Sequence, residues 1–339
     1  MNSYREAGSY QEAVLEPCGF EIINNNLLEF AIRRASAEDY ENVLDCLIEV
    51  RGADNYSSRE LNALKYNPVI AAFHEDGAIA AVISFSKGIF ENDTNILSML
   101  AVKKEFSGRG LARALIRTGV GYLASKNTVS IKTHVVTENN IVQNILTDEG
   151  LLPSGFLFGA VVSSKGAGAE GLRSDKRTLA VYAGQGSKRD AGILYAPIEI
   201  HKITEKVYSS LGVSFDIQRG WPTRSKSMIN VYYDDHYCVF YVEALTCGAD
   251  IYDILSEITD KCKSKPLNTV SLLINLNDPA TADGFESALR LGFVFSGFDP
   301  LERDRERVIM YYGSGVNIFA DEIKTADNGQ LLEEVLGVE

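Results

Sequence analysis

SMLAVKKEFSGRGLARALI, residues 98–116, passes from an apolar strand through a polar, glycine-bearing turn into a helix. The apolar run ends at Val102, and from Leu111 onward apolar residues recur at helical spacing. Gly108 and Gly110 flank Arg109 just ahead of that helix. Glycines let a ligand approach backbone without side-chain interference, and a first helical turn offers unpaired N–H groups at the positive end of its dipole. From Lys103 to Arg117 there are five cations (Lys103, Lys104, Arg109, Arg113, Arg117) against Glu105 alone, a net of +4. Arg109, Arg113 and Arg117, four apart, share one helical face. The junction reads as an anion cradle that suits a diphosphate better than a single carboxylate. The bland alternative is a solvated basic face behind a turn that only redirects the chain.

The flanking sequence sets this junction in an α/β unit. FAIRRA (30–35) alternates as a strand, and SAEDYENVLDCLIEV (36–50) opens with Ser36 at an N-cap and Asp39 three residues on. VIAAFHEDGAIAAVISFSKG (69–88) is two apolar runs around Asp76-Gly77, a hairpin. NILSMLAV (95–102) leads into the junction, TVSIKTHVV (128–136) is a strand, NNIVQNILTDEG (139–150) a helix and FLFGAVV (156–162) a closing strand. The expected order is β-α-(α)-β-β-β-α-β-α-β.

At 339 residues, 45% hydrophobic and 23% charged, the chain has material for two globular domains. Its net charge of −13 argues against a nucleic-acid or anionic-membrane binder. A local basic patch can still hold a small anion, because salt screens distant charges beyond about 8 Å. With no long apolar run and no secretion-signal pattern, the expected location is the cytoplasm. Cys18, Cys46, Cys238, Cys247 and Cys262 lack the spacing of a disulfide framework or a metal site.

An internal repeat organises the rest. NTVSI at 127–131 recurs as NTVSL at 268–272, and GLLPSGF at 150–156 as GFVFSGF at 292–298, so two landmarks recur at offsets of 141 and 142 residues. This points to two copies of one α/β unit. Gly166, Gly168 and Gly171 spell GxGxxG, but a dinucleotide site needs a helix opening on those glycines, and LRSDKRTLAVY turns into a strand instead. A connector is expected there. ERDRER (302–307) reads as a solvated hairpin end, and GQLLEEVLGVE (329–339) as a small amphipathic helix.

In Ser107-Gly108-Arg109-Gly110-Leu111-Ala112 the chain resembles the GNAT superfamily of acyl-CoA-dependent N-acyltransferases, whose pyrophosphate signature is Q/R-x-x-G-x-G/A after a central strand. Ser107 replaces the leading glutamine or arginine. Asn139 and Gly150 match the family's asparagine and following glycine, with Leu151 in place of phenylalanine. The resemblance covers about residues 30–160. It implies α/β (α+β) architecture in two GNAT-like lobes, each a mixed, mostly antiparallel sheet flanked by helices. The expected divisions are an extension at 1–28, an acyl-CoA-binding domain at 29–163, a linker at 164–190, a degenerate GNAT-like domain at 191–313 and a tail at 314–339. The second copy, in which YVEALTCGADIYDIL (241–255) lacks the glycine loop, is not expected to hold CoA.

The resemblance also implies that NILSMLAV splays from TVSIKTHVV and that pantetheine pairs with backbone of Leu100 and Val102. Ser107, Gly108, Arg109, Gly110, Leu111, Ala112, Arg113 and Asn139 complete the expected site for acetyl-CoA or another acyl-CoA. The positions where many relatives keep a carboxylate and a tyrosine are apolar here, at Ile96 and Leu146. His134 is the surviving base candidate, set against a histidine merely packed on a sheet face. Glu91 and Asp93 are weaker candidates, and His74, His201 and His236 show no partner in sequence. The implied function is acyl, chiefly acetyl, transfer from acetyl-CoA to an amine of a small molecule or peptide, with no nucleic acid, membrane or metal involved. The alternative is a non-catalytic acyl-CoA-binding or scaffolding protein. The oligomeric state stays open, with a homodimer as one option.

Overall fold

The computed structural model describes residues 29–90, 95–126, 128–138, 140–162, 176–186, 189–221, 224–265, 268–302, 305–313, 323, 325 and 329–338. The expected extension at 1–28, Glu91, Asp93, Asn139 and the Gly166–Gly171 loop lie outside the described residues.

The first half runs β1 (Phe30–Arg34), α1 (Tyr40–Arg51), α2 (Ser58–Ala63), β2 (Val69–His74), β3 (Ile79–Ser86), β4 (Asn95–Val102), α3 (Leu111–Ser125), β5 (Ser130–Val136), α4 (Asn140–Asp148), β6 (Leu152–Val162) and β7 (Lys176–Gln185). Ser36 opens the first helical segment as its sequence suggests: its amide and hydroxyl both donate to Asp39 Oδ2, at 2.7 and 2.8 Å. The Asp76-Gly77 turn joins β2 to β3, with Gly77 at φ +86°.

β7 corrects the linker expected at 164–190. Its residues 176–185 form a strand between β5 and β6, with Leu179, Val181 and Ala183 opposite Val136, His134 and Lys132. A central strand cannot be spared, because it satisfies the backbone of both neighbours.

The second half holds β8 (Asp190–Leu194), α5 (His201–Ser210), β9 (Ser214–Ile217), β10 (Met228–Asp234), β11 (Val239–Thr246), α6 (Ile251–Lys263), β12 (Thr269–Asn275), α7 (Thr281–Arg290), β13 (Val294–Glu302), β14 (Arg305–Gly313) and α8 (Gln330–Leu336). β8 and β9 form a separate parallel pair. The other strands of both halves make one twelve-stranded sheet in the order β1-β2-β3-β4-β5-β7-β6-β13-β14-β12-β11-β10. Read inward from β3 and from β10, the order is the same: an antiparallel pair, a parallel pair bridged by a helix, then two antiparallel pairs.

The halves meet edge to edge at Gly155 and Gly297, the glycines of the two SGF landmarks. A Cβ on Gly155 would stand 2.8 Å from the Phe298 amide nitrogen, and one on Gly297 2.4 Å from Gly155 Cα. The close approach therefore requires glycine on both strands.

Two clusters sandwich the first half. Leu111, Leu115 and Leu123 of α3 and Leu146 of α4 pack with Leu97 and Ile131 on one face, each such side chain contributing about 1.5–3 kcal/mol by burial. On the other face Val43, Cys46 and Leu47 of α1 pack with Ala71, Val82 and Ala101. Alternation along β5 aims Lys132 away from α3, toward the α1 side. Among the described residues no helix is long and apolar enough to cross a membrane.

Candidate functional site

β4 pairs with β5 only at Asn95–Ile131, Ile96–Lys132 and Leu97–Thr133. Beyond Leu97 it bends away while staying paired with β3 as far as Val102. The bend coincides with a register shift on β3 between Val82 and Ser84 and with Met99, a non-glycine at φ +50°. The β5-facing edge of residues 98–102 is thus left open, with half-buried Leu100 and Val102 along it. Arg51 Nη2 donates to the Leu100 carbonyl at 2.9 Å. Ser98 Oγ lies 3.0 Å from Ser84 Oγ.

From β4 the chain enters a tight turn at Lys104–Phe106. Buried Phe106 anchors it, edge-on to Phe30 at 5.6 Å and beside His74 at 5.2 Å. Exposed Ser107 follows, then Gly108 at φ +78° and Gly110 at φ +82°. Both are left-handed, and a Cβ built on either meets nothing within 4 Å, so the turn faces open space. The Ala114 amide closes the first helical turn onto the Gly110 carbonyl at 3.0 Å. The amides of residues 108–113 have no acceptor among the described residues. Leu111 is buried and Ala112 half-buried, so both anchor the helix start and offer only backbone to a ligand.

The basic stripe already has partners. Arg109 pairs with Glu29 at 2.6 Å, Arg113 with Asp148 at 2.7 Å, Arg117 with Glu149 at 2.8 Å and Lys103 with Glu49 at 2.8 Å. Arg113 and Arg117 thereby tie α3 to the end of α4, and the hydrogen bond that Lys103 donates to Glu49 raises the Lys103 pKa. Local sequence could not reveal these partners, which come from other elements. Exposed pairs contribute about 0–1 kcal/mol each, so a polyanion can exchange for them. The cradle is chiefly backbone, with arginines that must change partner.

His134 is exposed on β5, opposite Val181 and one residue past the last β4–β5 pair. Ile96 and Leu146 are buried. His201 lies 2.7 Å from the Ala196 carbonyl, and His236 packs edge-on to Tyr237. Among the described residues no grouping of His, Cys, Asp and Glu could hold a metal ion.

Sequence reading missed the charges of the α1-side face. Lys132, fully buried, contacts Asp299 of the second half at 2.7 Å. Arg307 also pairs with Asp299, and it reaches Glu243 at 3.1 Å, as does Arg305. Asn230 Nδ2 donates to the other Glu243 oxygen at 3.0 Å. Burial alone would raise the Asp299 pKa, but Arg307 and Lys132 hold it well below the usual carboxylate range. The described end of ERDRER is therefore not solvated: Glu306 and Arg307 are buried, and Glu306 meets Arg189 at 2.9 Å and the Tyr208 hydroxyl at 3.0 Å. Alternating charge looks solvated in one dimension, and only the fold supplies the opposite charges that let it be buried.

Residues 27–146 match the model of the Acetyltransferase (GNAT) family. No curated protein matches the chain. Among solved structures, an N-acetyltransferase from Staphylococcus aureus is 16% identical with a TM-score of 0.38, over 47% of this chain and 99% of that one. A GNAT superfamily phosphinothricin acetyltransferase from Sinorhizobium meliloti, in complex with AcCoA, is 16% identical with a TM-score of 0.37, over 46% and 87%. An IAA acetyltransferase from Bacillus cereus is 15% identical with a TM-score of 0.37, over 45% and 97%.

Proposed function

From the match of residues 27–146 to the model of the GNAT acetyltransferase family, we propose that the chain transfers an acetyl group from acetyl-CoA to an amine of a small molecule or peptide. Acetyltransferases of this family use acetyl-CoA, and the residues at the junction fit it. The observation that carries the reading is the open-faced Gly108–Gly110 turn ahead of α3, set beside a β4 edge that has left β5.

In this reading the amides of residues 108–113 hold the diphosphate, helped by Arg109 and Arg113 once they leave Glu29 and Asp148. Leu100 and Val102 offer backbone to the pantetheine arm, with Arg51 giving up the Leu100 carbonyl. A backbone N–H on the same edge polarises the thioester carbonyl. The bound thioester supplies the acetyl carbon that the amine attacks, with the CoA thiol leaving. Aliphatic amines are mostly protonated near neutrality, with pKa about 10.4, so a base must take a proton. Exposed His134, one residue past the last β4–β5 pair, is the base of this reading.

The recurrence of strand order and of the SGF landmark supports reading the second half as a degenerate copy that shapes the acceptor side. Calorimetry with acetyl-CoA at low salt, together with thiol release over a panel of amines, tests the assignment. Saturable binding with turnover is expected. Binding without turnover would leave a scaffold, and no binding would end the reading.

A further inference from the structure

An acceptor can approach the gap between β4 and β5 from only one face of the sheet. α3 and α4 cover the other, where Leu97, Leu115, Ile131 and Leu146 share a core. On the accessible face the connection between α1 and α2 borders the gap: Arg51 holds the Leu100 carbonyl, and the Asn55 side chain donates to the Arg51 carbonyl.

That connection is fastened to the second half. Tyr237, in the turn between β10 and β11, donates its hydroxyl to Glu60 Oε2 at 2.6 Å and lies 3.4 Å from the Asn55 carbonyl. The Arg59 guanidinium sits 4.9 Å from the centre of the Tyr232 ring. Both partners of the central contact are held in advance. Glu60 Oε2 accepts the Ser57 amide and hydroxyl, each at 2.8 Å, as part of the α2 cap, and the Tyr237 amide donates to Asp234 Oδ1 at 3.1 Å. Burial, and after it the Glu60 carboxylate, push the Tyr237 phenol far above its ordinary value, so it stays a donor. Elsewhere on this face the halves are tied by Lys132 and Asp299.

We propose that the β10–β11 hairpin is the acceptor-side wall of the reaction groove, latched shut by Tyr237 on Glu60. The inference rests on the reading that the β4–β5 gap takes the thioester. A wall there keeps water from the thioester until an acceptor displaces it. Its chemistry is the phenols of Tyr232, Tyr237 and Tyr241 with the carboxylates of Glu60 and Asp234, the guanidinium of Arg59 lying over Tyr232 and that of Arg51 on the Leu100 carbonyl. Such a surface favours an acceptor arriving as an ammonium ion.

The test uses the full chain with acetyl-CoA and no amine, following release of thiol and acetate. In this leak the water oxygen bonds to the acetyl carbon, the C–S bond breaks, CoA leaves as the thiol, and acetate and a proton are released. Tyr237→Phe removes a hydrogen bond to a charged group and is expected to raise the leak roughly tenfold. Calorimetric affinity for acetyl-CoA should stay within about twofold of wild type, because the wall does not touch the cradle. An unchanged leak, including none in either protein, overturns the wall, as does a loss of acetyl-CoA affinity matching the rise. Should Tyr237→Phe fail to fold, Glu60→Gln keeps the cap and is expected to raise the leak about threefold, no rise again overturning the wall. In the wild type, n-butylammonium is expected to lower acetate release where butyrate does not, and equal effects would overturn the preference for a cation. Failure of the wild type to bind acetyl-CoA is a separate outcome that removes the assignment of the gap and the wall with it.

Discussion

β4–α3–β5 in the first half and β11–α6–β12 in the second are the same strand–helix–strand unit, yet they treat the front of the helix in opposite ways. In the first, residues 103–110 form a turn into α3, the amides of residues 108–113 find no acceptor among the described residues, and β4 parts from β5 after three pairs. In the second, only residues 247–250 intervene and their groups are claimed from within the chain. The Cys247 amide donates to Asp278 Oδ2 at 2.6 Å, the Gly248 amide to Ser227 Oγ at 2.8 Å, and Asp250 accepts the Ser227 amide and hydroxyl. A Cβ on Gly248 would meet Lys226 backbone at 2.4 Å, and β11 stays paired with β12 from Val239 to Ala244. The difference teaches that a topology does not make a ligand site. What matters is which acceptor satisfies the amides at a helix front, solvent and ligand or the chain itself.

The largest effect should come from breaking the link between the compared halves. Asp299→Ala removes the carboxylate that buried Lys132 and Arg307 share, leaving Arg307 with Glu243, and is expected to cost about 3–5 kcal/mol in urea denaturation. Pairing Asp299→Leu with Lys132→Met should recover part of that loss. Next, Gly110→Asp puts a carboxylate and a left-handed non-glycine into the cradle, so acetyl-CoA affinity by calorimetry should fall about a hundredfold or more. Asp250→Asn at the matching place in the second half should leave it unchanged, and a comparable loss there would erase the contrast.

A smaller effect tests another contact between the halves. Lys176 donates to the Cys238 carbonyl and Thr269 Oγ1, each at 3.1 Å, and burial lowers its pKa to about 8. Between pH 8 and about 10.5 the unfolded chain carries a proton there that the folded chain has lost, so stability should rise with pH, by about 2 kcal/mol. Thermal or urea unfolding of Lys176→Met should lack that rise. Smallest, Ser107→Arg restores the residue the pyrophosphate signature leads with and should tighten acetyl-CoA a few-fold, as a partly exposed charge-assisted contact does.

Local signals made much of the fold legible. The Asp76-Gly77 hairpin, the Ser36–Asp39 cap, the glycine turn and the doubled SGF landmark each act over a few residues, where stereochemistry alone dictates the outcome. The insertion of β7 between β5 and β6 was not legible, because strand order is set by which edges meet after the chain has doubled back. The same holds for charge. Arg113 and Arg117 form a stripe in sequence, but Asp148 and Glu149 reach them only because α4 packs beside α3. At the site, Gly108 and Gly110 were readable and the wall was not: Tyr237 and Glu60 are separated by 177 residues of chain.

The seam at Gly155 and Gly297 ties the fortunes of the two halves together. Each contributes the same bare position to a joint that admits no side chain from either, so drift at one glycine is felt by both. The half whose helix front is claimed by its own chain cannot be discarded or freely rewritten while its counterpart still leans on it.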